Sequence, residues 1–270
     1  MKKLFLAAAS AAFIVSAAAF TVFGSSAPYI SAKGAIVTCG DEVLYEKNAD
    51  EKLPMASTTK IMTCIIALEM CDPDEVVTVT YPSSIVEGTS LYLKEGDTIT
   101  VRDLIYAAML RSANDAASAL ARHISWNEAE FSYLMNEKAA KLGLTSTHFD
   151  NPHGLPSDAH YTSARDLARL AEYAMNNEEF RKIASTGKYT VTVSGRARIV
   201  INHNKLLSAY PGADGVKTGY TKNAGRCLVS SAERDGVRLI CVTLSDPDDW
   251  SDHKALLDYG FSIQGVIWKK

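Results

Sequence analysis

The chain of 270 residues changes its hydrophobic period twice, and the order of those changes limits its architecture more than any single motif. KGAIVTCGDEVLYEKN, near the start, alternates apolar and polar residues in the period of a strand. It breaks at Gly40-Asp41, which predicts a hairpin. Beyond residue 187, KYTVTVS, RIVIN, GVKTGYT, GRCLVSSAER and VRLICVTLS are rich in β-branched residues, and Asp235-Gly236 is a tight turn between the last two. The middle is helical. Thr100 with Asp103, Ser125 with Glu128 and Ser163 with Asp166 each have the spacing of a capping box ahead of an apolar run. Strands at both ends bury their faces by meeting in one sheet, which makes the helical middle an insertion between them. The expected class is α/β (α+β): a mainly antiparallel sheet packed with helices, plus an inserted all-helical subdomain over roughly residues 80–185. EVVTVTYP reads as a short strand, LYLKEGDTITV as a hairpin-like piece, and DDWSDHKALLDYGF as a final helix.

Composition removes several function classes. Hydrophobic residues at 47% and charged residues at 22% are a globular balance that excludes extensive disorder. A formal charge of −3 with no basic stripe gives no reason to expect a nucleic-acid partner. Dinucleotide fingerprints and phosphate-binding loops are absent, and no Cys-x-x-Cys or Cys/His run has metal spacing, so neither cofactor nor metal is expected. MKKLFLAAASAAFIVSAAAFTVF followed by Ser25-Ser26-Ala27 has the layout of a secretory signal, residues 1–27, with a mature chain from Pro28. Its apolar run is also long enough to stay as an uncleaved anchor, the one route to membrane contact. Either way the remainder lies outside the cytoplasm. Five cysteines, an odd number mostly flanked by apolar residues, read as buried thiols rather than a disulfide framework.

PMASTTKIMT places Ser57 and Lys60 three residues apart at the mouth of the apolar helix IMTCIIALEM. Residues at i and i+3 share a helical face, so the two side chains can touch. The pair is open to a capping or a catalytic reading. Ser-x-x-Lys recurs at Ser185 with Lys188 and at Ser251 with Lys254, and Ser-x-Asn occurs both at Ser112 with Asn114 and at Ser125 with Asn127. Only Lys217-Thr218-Gly219 is unique. Setting separates the copies. Ser185 is followed by Thr-Gly, Ser251 opens the last helix, and Ser125 has a capping role. Ser112 and Asn114 stand between two apolar helices, where polar side chains project into a cleft. GVKTGYT sets a lysine and a threonine between glycines on a strand, at a sheet edge a ligand can approach.

Together ASTTKIMT, LRSANDAA, FDNPHGL, TSARDLA and DGVKTGYT resemble the serine penicillin-binding proteins, specifically the secreted low-molecular-mass D-alanyl-D-alanine carboxypeptidases, over essentially residues 32–265. The resemblance implies a β-lactamase/transpeptidase-like fold and a single penicillin-binding catalytic domain over residues 28–270. It implies removal of the terminal D-Ala from peptidoglycan stem peptides through an acyl-enzyme on Ser57, with β-lactams as covalent inhibitors. In that scheme Lys60 takes the Ser57 proton, given a depressed pKa beside a second cation such as Lys217, and Ser112 relays it to the leaving amine. Asn114 holds the substrate amide and Thr218 the terminal carboxylate. The backbone N–H groups of Ser57 and Tyr220, with Gly219 between Thr218 and Tyr220, form the oxyanion site.

Two departures qualify the likeness. INHNKLL carries His203 where relatives often have an arginine that helps to hold the carboxylate. The sequence reads VIWKK soon after the final helix, so the C-terminal β domain and amphipathic anchor that many relatives add are not expected. Among the other histidines, His153 reads as bracing a loop, and His148 and His160 as structural or solvent-facing. A β-lactamase of the same fold and a non-catalytic wall-binding or sensing protein are the alternative functions. The first calls for the Glu-x-x-Leu-Asn deacylation segment of class A enzymes, which this sequence does not contain, and the second would normally have lost Ser57, Lys60 or Lys217, all present here.

Overall fold

In a computed structural model of the chain, residues 26–266 are described. The expected signal, except for its last two residues, lies outside them. The elements run β1 (Gly34–Cys39), β2 (Glu42–Lys47), a 3-10 turn (Ala56–Thr59), α1 (Lys60–Met70), β3 (Val76–Thr78), α2 (Tyr81–Ser84), β4 (Thr98–Thr100) and α3 (Val101–Tyr106). A π-helical turn (Ala107–Arg111) then leads to α4 (Asn114–Ile124), α5 (Glu128–Lys141), α6 (Ala164–Met175) and α7 (Glu178–Ser185). After β5 (Lys188–Val193), β6 (Arg196–Ile201) and α8 (Leu206–Ala209) come β7 (Ala213–Thr221), β8 (Gly225–Arg234), β9 (Val237–Leu244) and α9 (Asp249–Ile263).

The two ends of the chain do meet. One five-stranded antiparallel sheet has the order β2-β1-β9-β8-β7, and β1 pairs with β9 with Ile36 opposite Val242. The two-residue period sorts the apolar side chains between its faces. Ala35, Val37, Leu228, Leu239 and Cys241 pack with Leu256, Leu257 and Phe261 of α9, while Ile36, Val229, Ile240 and Val242 join the helical core. Each of those α9 side chains is buried, which stabilises the fold by roughly 1.5–3 kcal/mol apiece. Helix α1 is buried from Lys60 through Ala67, the pattern of a helix enclosed on all sides.

Local expectations fared unevenly. Both hairpin turns form as read, with Gly40 at φ +55° and Asp235 and Gly236 at +49° and +79°. The side chains of Thr100 and Ser163 accept from the N–H groups of Asp103 and Asp166 as their spacing predicts. Ser125 does not cap α5: Asn127 accepts from Glu130 N–H instead, at 2.9 Å. LYLKEGDTITV is not a hairpin either. The Asp115 carboxylate accepts from the Leu91 and Leu93 N–H groups, both at 2.9 Å, so that stretch has no strand partner and β4 pairs with β3. KYTVTVS and RIVIN become β5 and β6, a separate ribbon outside the main sheet. Asp103 accepts from Thr192 N–H, and Tyr189 stacks on Tyr106 with ring centroids 3.6 Å apart, which ties the ribbon to α3.

Candidate active site

The site grows from the turn Ala56–Thr59. Thr58 Oγ1 donates to the Met55 carbonyl at 2.6 Å and Thr59 Oγ1 to the Ala56 carbonyl at 2.7 Å. These two threonines brace the turn, so the Ser57 hydroxyl is left for another partner. Ala56 holds φ at +48°, a conformation costly for a residue with a Cβ and persistent only when its surroundings impose it. Gly154 of the FDNPHGL loop supplies part of that constraint. A Cβ there would stand 2.0 Å from the Ala56 carbonyl oxygen and 2.9 Å from Ser57 N, so the loop backbone lies directly on the Ala56–Ser57 peptide.

Lys60 opens α1 and is fully buried. Its Nζ lies 3.1 Å from Ser57 Oγ, 2.7 Å from Asn114 Oδ1 and 2.6 Å from the His153 carbonyl oxygen. Burial and the Lys217 charge both hold its pKa well below the usual lysine value. A neutral amine has two N–H bonds and one lone pair. Asn114 Oδ1 and the His153 carbonyl can only accept, so they take the two N–H bonds and the lone pair is left for the Ser57 hydroxyl. The Glu87 carbonyl, 2.7 Å from Asn114 Nδ2, fixes which end of that amide faces Lys60. The arrangement can therefore deprotonate Ser57 without a histidine.

Ser112 ends the π turn at φ +63°, a left-handed residue that reverses the chain into α4 and sets its side chain at the cleft. Asn114, two residues on, is buried with both ends of its amide engaged by Lys60 and Glu87. The structure brings it to the lysine rather than to the cavity wall.

The facing wall is β7, one of the two edge strands of the sheet. Lys217 points inward, buried, with its pKa lowered by burial to about 7, and its Nζ donates to the Thr218 carbonyl. A Cβ on Gly219 would meet Ser57 N at 3.0 Å and the Met55 carbonyl oxygen at 3.2 Å, so glycine lets the strand lie against the serine turn. Ser57, Ser112, His203, Thr218, Gly219 and Tyr220 line one open cavity of about 370 Å³, which continues to Arg226, Asp249 and Trp250. A cavity of about 470 Å³ between β1 and α6 is larger, but it contains no nucleophile–base pair. His203 thus faces the cleft. Asn202 and Asn204 brace its turn by donating to the carbonyls of Thr186 and Gly215. Burial, Lys217 and Arg111 lower its pKa.

The other serine–lysine copies stay apart from this cleft: Ser185 ends α7, and Ser251 lies in the first turn of α9. Among the described residues one group of potential metal ligands lies together, without the sequence spacing of a metal motif. Cys71, Glu75 and His123 bring ligand atoms within 4.8 Å of one another, outside the cleft, and His123 Nε2 pairs with Glu75 at 3.2 Å. All five cysteines are free thiols.

A family model described as D-alanyl-D-alanine carboxypeptidase matches residues 21–248. The chain belongs to that family. It is 38% identical over 243 residues to the D-alanyl-D-alanine carboxypeptidase DacF of Bacillus subtilis, an alignment covering 86% of this chain and 62% of that protein. It is 39% identical over 241 residues to the D-alanyl-D-alanine carboxypeptidase of Streptomyces sp. strain K15, covering 82% and 83%. The crystal structure of the Streptomyces DD-transpeptidase superposes with a TM-score of 0.83 at 36% identity, covering 88% of this chain and all of that one. A carboxypeptidase from Mycobacterium tuberculosis gives 0.84 at 31% identity, covering 89% and 94%.

Several supports of this carboxypeptidase-family site carry no signal in the sequence. His160, read from the sequence as structural or solvent-facing, is buried beneath the serine turn. Its Nδ1 accepts from Asp150 N–H, so Nε2 carries the proton and donates to Thr59 Oγ1 at 2.7 Å. Burial lowers its pKa to about 4. His153 braces its loop as expected: Nδ1 accepts from Leu155 N–H, and Nε2 lies 3.5 Å from Glu128. Its contribution to the site is its carbonyl, which no residue type announces. The glycine and asparagine of FDNPHGL are the legible part of that loop, because Asn151 Oδ1 accepts from Gly154 N–H at 2.7 Å.

Proposed function

We propose that the chain is a serine-type D,D-carboxypeptidase that removes the terminal D-Ala of peptidoglycan stem peptides. Family membership supports the reaction class, and one observation carries the mechanism. Among the described residues the lone pair of buried Lys60 has only Ser57 to accept from.

Ser57 Oγ attacks the carbonyl carbon of the penultimate residue as Lys60 takes its proton. The oxyanion forms between the N–H groups of Ser57 and Tyr220, where Gly219 permits the close approach. Ser112, on the opposite wall, passes the proton to the amine of the departing D-Ala as the C–N bond breaks. Thr218, with His203 beside it, holds the terminal carboxylate. Asn114 has a second Nδ2 N–H beyond its bond to Glu87, which it offers to the peptide amide carbonyl while Oδ1 orients the lysine. Water then cleaves the acyl ester by the same base. A β-lactam enters the first step and stalls at the second. The catalytic unit spans residues 28–270, with the helices of roughly 80–185 forming the Ser112 wall.

The substrate lies outside the cytoplasm, and the N-terminal segment is the proposed means of export. Among the described residues no helix is long and apolar enough to cross a membrane. Incubation with an acyl-D-Ala-D-Ala peptide should release free D-alanine. No release from any such peptide would contradict the proposal.

A further inference from the structure

The cleft does not end at the catalytic groups. Beyond Tyr220 it continues to Arg226, which lies opposite Tyr220 on β8, and to Asp249 and Trp250 at the start of α9. Arg226 Nη1 lies 3.5 Å from Asp249 Oδ1, an ion pair without a close hydrogen bond. Among the described residues Asp249 is the guanidinium's one partner, although it carries five N–H donors, and its side chain is 52% exposed. Asp249 is the reverse: its side chain is 7% exposed, and its Oδ1 accepts from Trp250 N–H. A buried carboxylate and a donor-rich guanidinium thus share one cavity wall, with the half-buried indole of Trp250 beside them.

We propose that this pair is a subsite for the side chain of the residue just before the D-Ala-D-Ala unit, and that it selects a side chain ending in an α-amino acid. Such a terminus, as in 2,6-diaminopimelate, bears an ammonium and a carboxylate on one carbon. The ammonium meets Asp249 and the carboxylate takes a forked contact from Arg226. The indole packs on the methylenes between. A lysine side chain at the same position supplies only the ammonium. The direction of the chain fits: with the terminal carboxylate at Thr218 and the reacting carbonyl at Ser57 and Tyr220, the acyl part of the peptide leaves past Tyr220 toward Arg226.

This subsite rests on the carboxypeptidase reading, and the test separates the two. Three stem pentapeptides are compared that differ only in the third residue: diaminopimelate, lysine or norleucine. The wild type should cleave the diaminopimelate peptide with a kcat/KM about tenfold above the lysine peptide, and the lysine peptide above norleucine. The difference should appear mainly in KM. Arg226→Gln should bring the first ratio close to one, and Asp249→Asn the second. If Asp249→Asn does not fold, the wild-type preference for lysine over norleucine is the readout for that carboxylate. Equal cleavage of all three peptides, or a diaminopimelate preference that survives Arg226→Gln, overturns the subsite alone. No cleavage of any peptide and no penicillin adduct on wild-type Ser57 overturns both readings.

Discussion

Lys60 Nζ stands 3.1 Å from Ser57 Oγ, and among the described residues Ser57 is the one partner of that amine able to donate a hydrogen bond. Burial keeps the amine's pKa low, and the two acceptors aim its lone pair.

Replacing Lys60 by arginine tests whether a proton must move. Arginine keeps the charge but does not deprotonate in proteins. Penicillin acylation and peptide cleavage should each fall by about 10²–10⁴-fold, the usual range for loss of a general base. Thermal unfolding would verify that the variant is folded. A folded variant with near-native acylation would show that the base is elsewhere.

The pH profile of acylation should carry an acid limb set by Lys60, because only its neutral form accepts the Ser57 proton. The rate rises as pH passes upward through its lowered pKa. The charge on Lys217 contributes to that lowering, so Lys217→Met should raise the Lys60 pKa and move the limb to higher pH, whatever it does to the plateau. A limb that stays in place would exclude coupling between the two lysines.

His203 lines the cleft, and its pKa is lowered, so its cationic form exists only at pH below the ordinary histidine range. Its help to the substrate carboxylate should therefore be confined to the acid limb. His203→Ala should lower kcat/KM there and leave alkaline rates alone, whereas His203→Arg should raise kcat/KM several-fold at neutral pH by keeping the charge. Superimposable profiles for wild type and both variants would remove the residue from carboxylate binding.

Gly154 should be intolerant of a side chain. A Cβ would collide with the Ala56 carbonyl, a backbone atom that cannot swing aside, and φ is +92°. Gly154→Ala should cost about 2 kcal/mol or more in chemical denaturation and displace Ser57, so acylation should fall as well. Gly187→Ala, with nothing near the new methyl group, is the control and should be close to neutral.

These supports divide according to whether their information is local. Ser57, Lys60, Ser112 and the Lys217 triplet are legible because their residue types and order are distinctive, and the β1–β9 union follows from strand periods at both ends. Gly154 on the Ala56 peptide, the His153 carbonyl on Lys60 and His160 under Thr59 are not, because each joins residues about a hundred positions apart. Asp115 shows the same limit in the fold. It sits in an obvious helix, yet its carboxylate takes the Leu91 and Leu93 N–H groups from the strand that their pattern predicts.

Peptide mapping of a penicillin adduct by mass spectrometry identifies the nucleophile itself. One chain carries Ser-x-x-Lys three times, and only Ser57 has its lysine buried between acceptors beside Lys217. One adduct per chain is expected, on the peptide containing Ala56-Ser57-Thr58-Thr59-Lys60, lasting long enough to survive digestion. An adduct on the peptide of Ser185 or Ser251, or rapid turnover of the drug with no adduct at all, would contradict it.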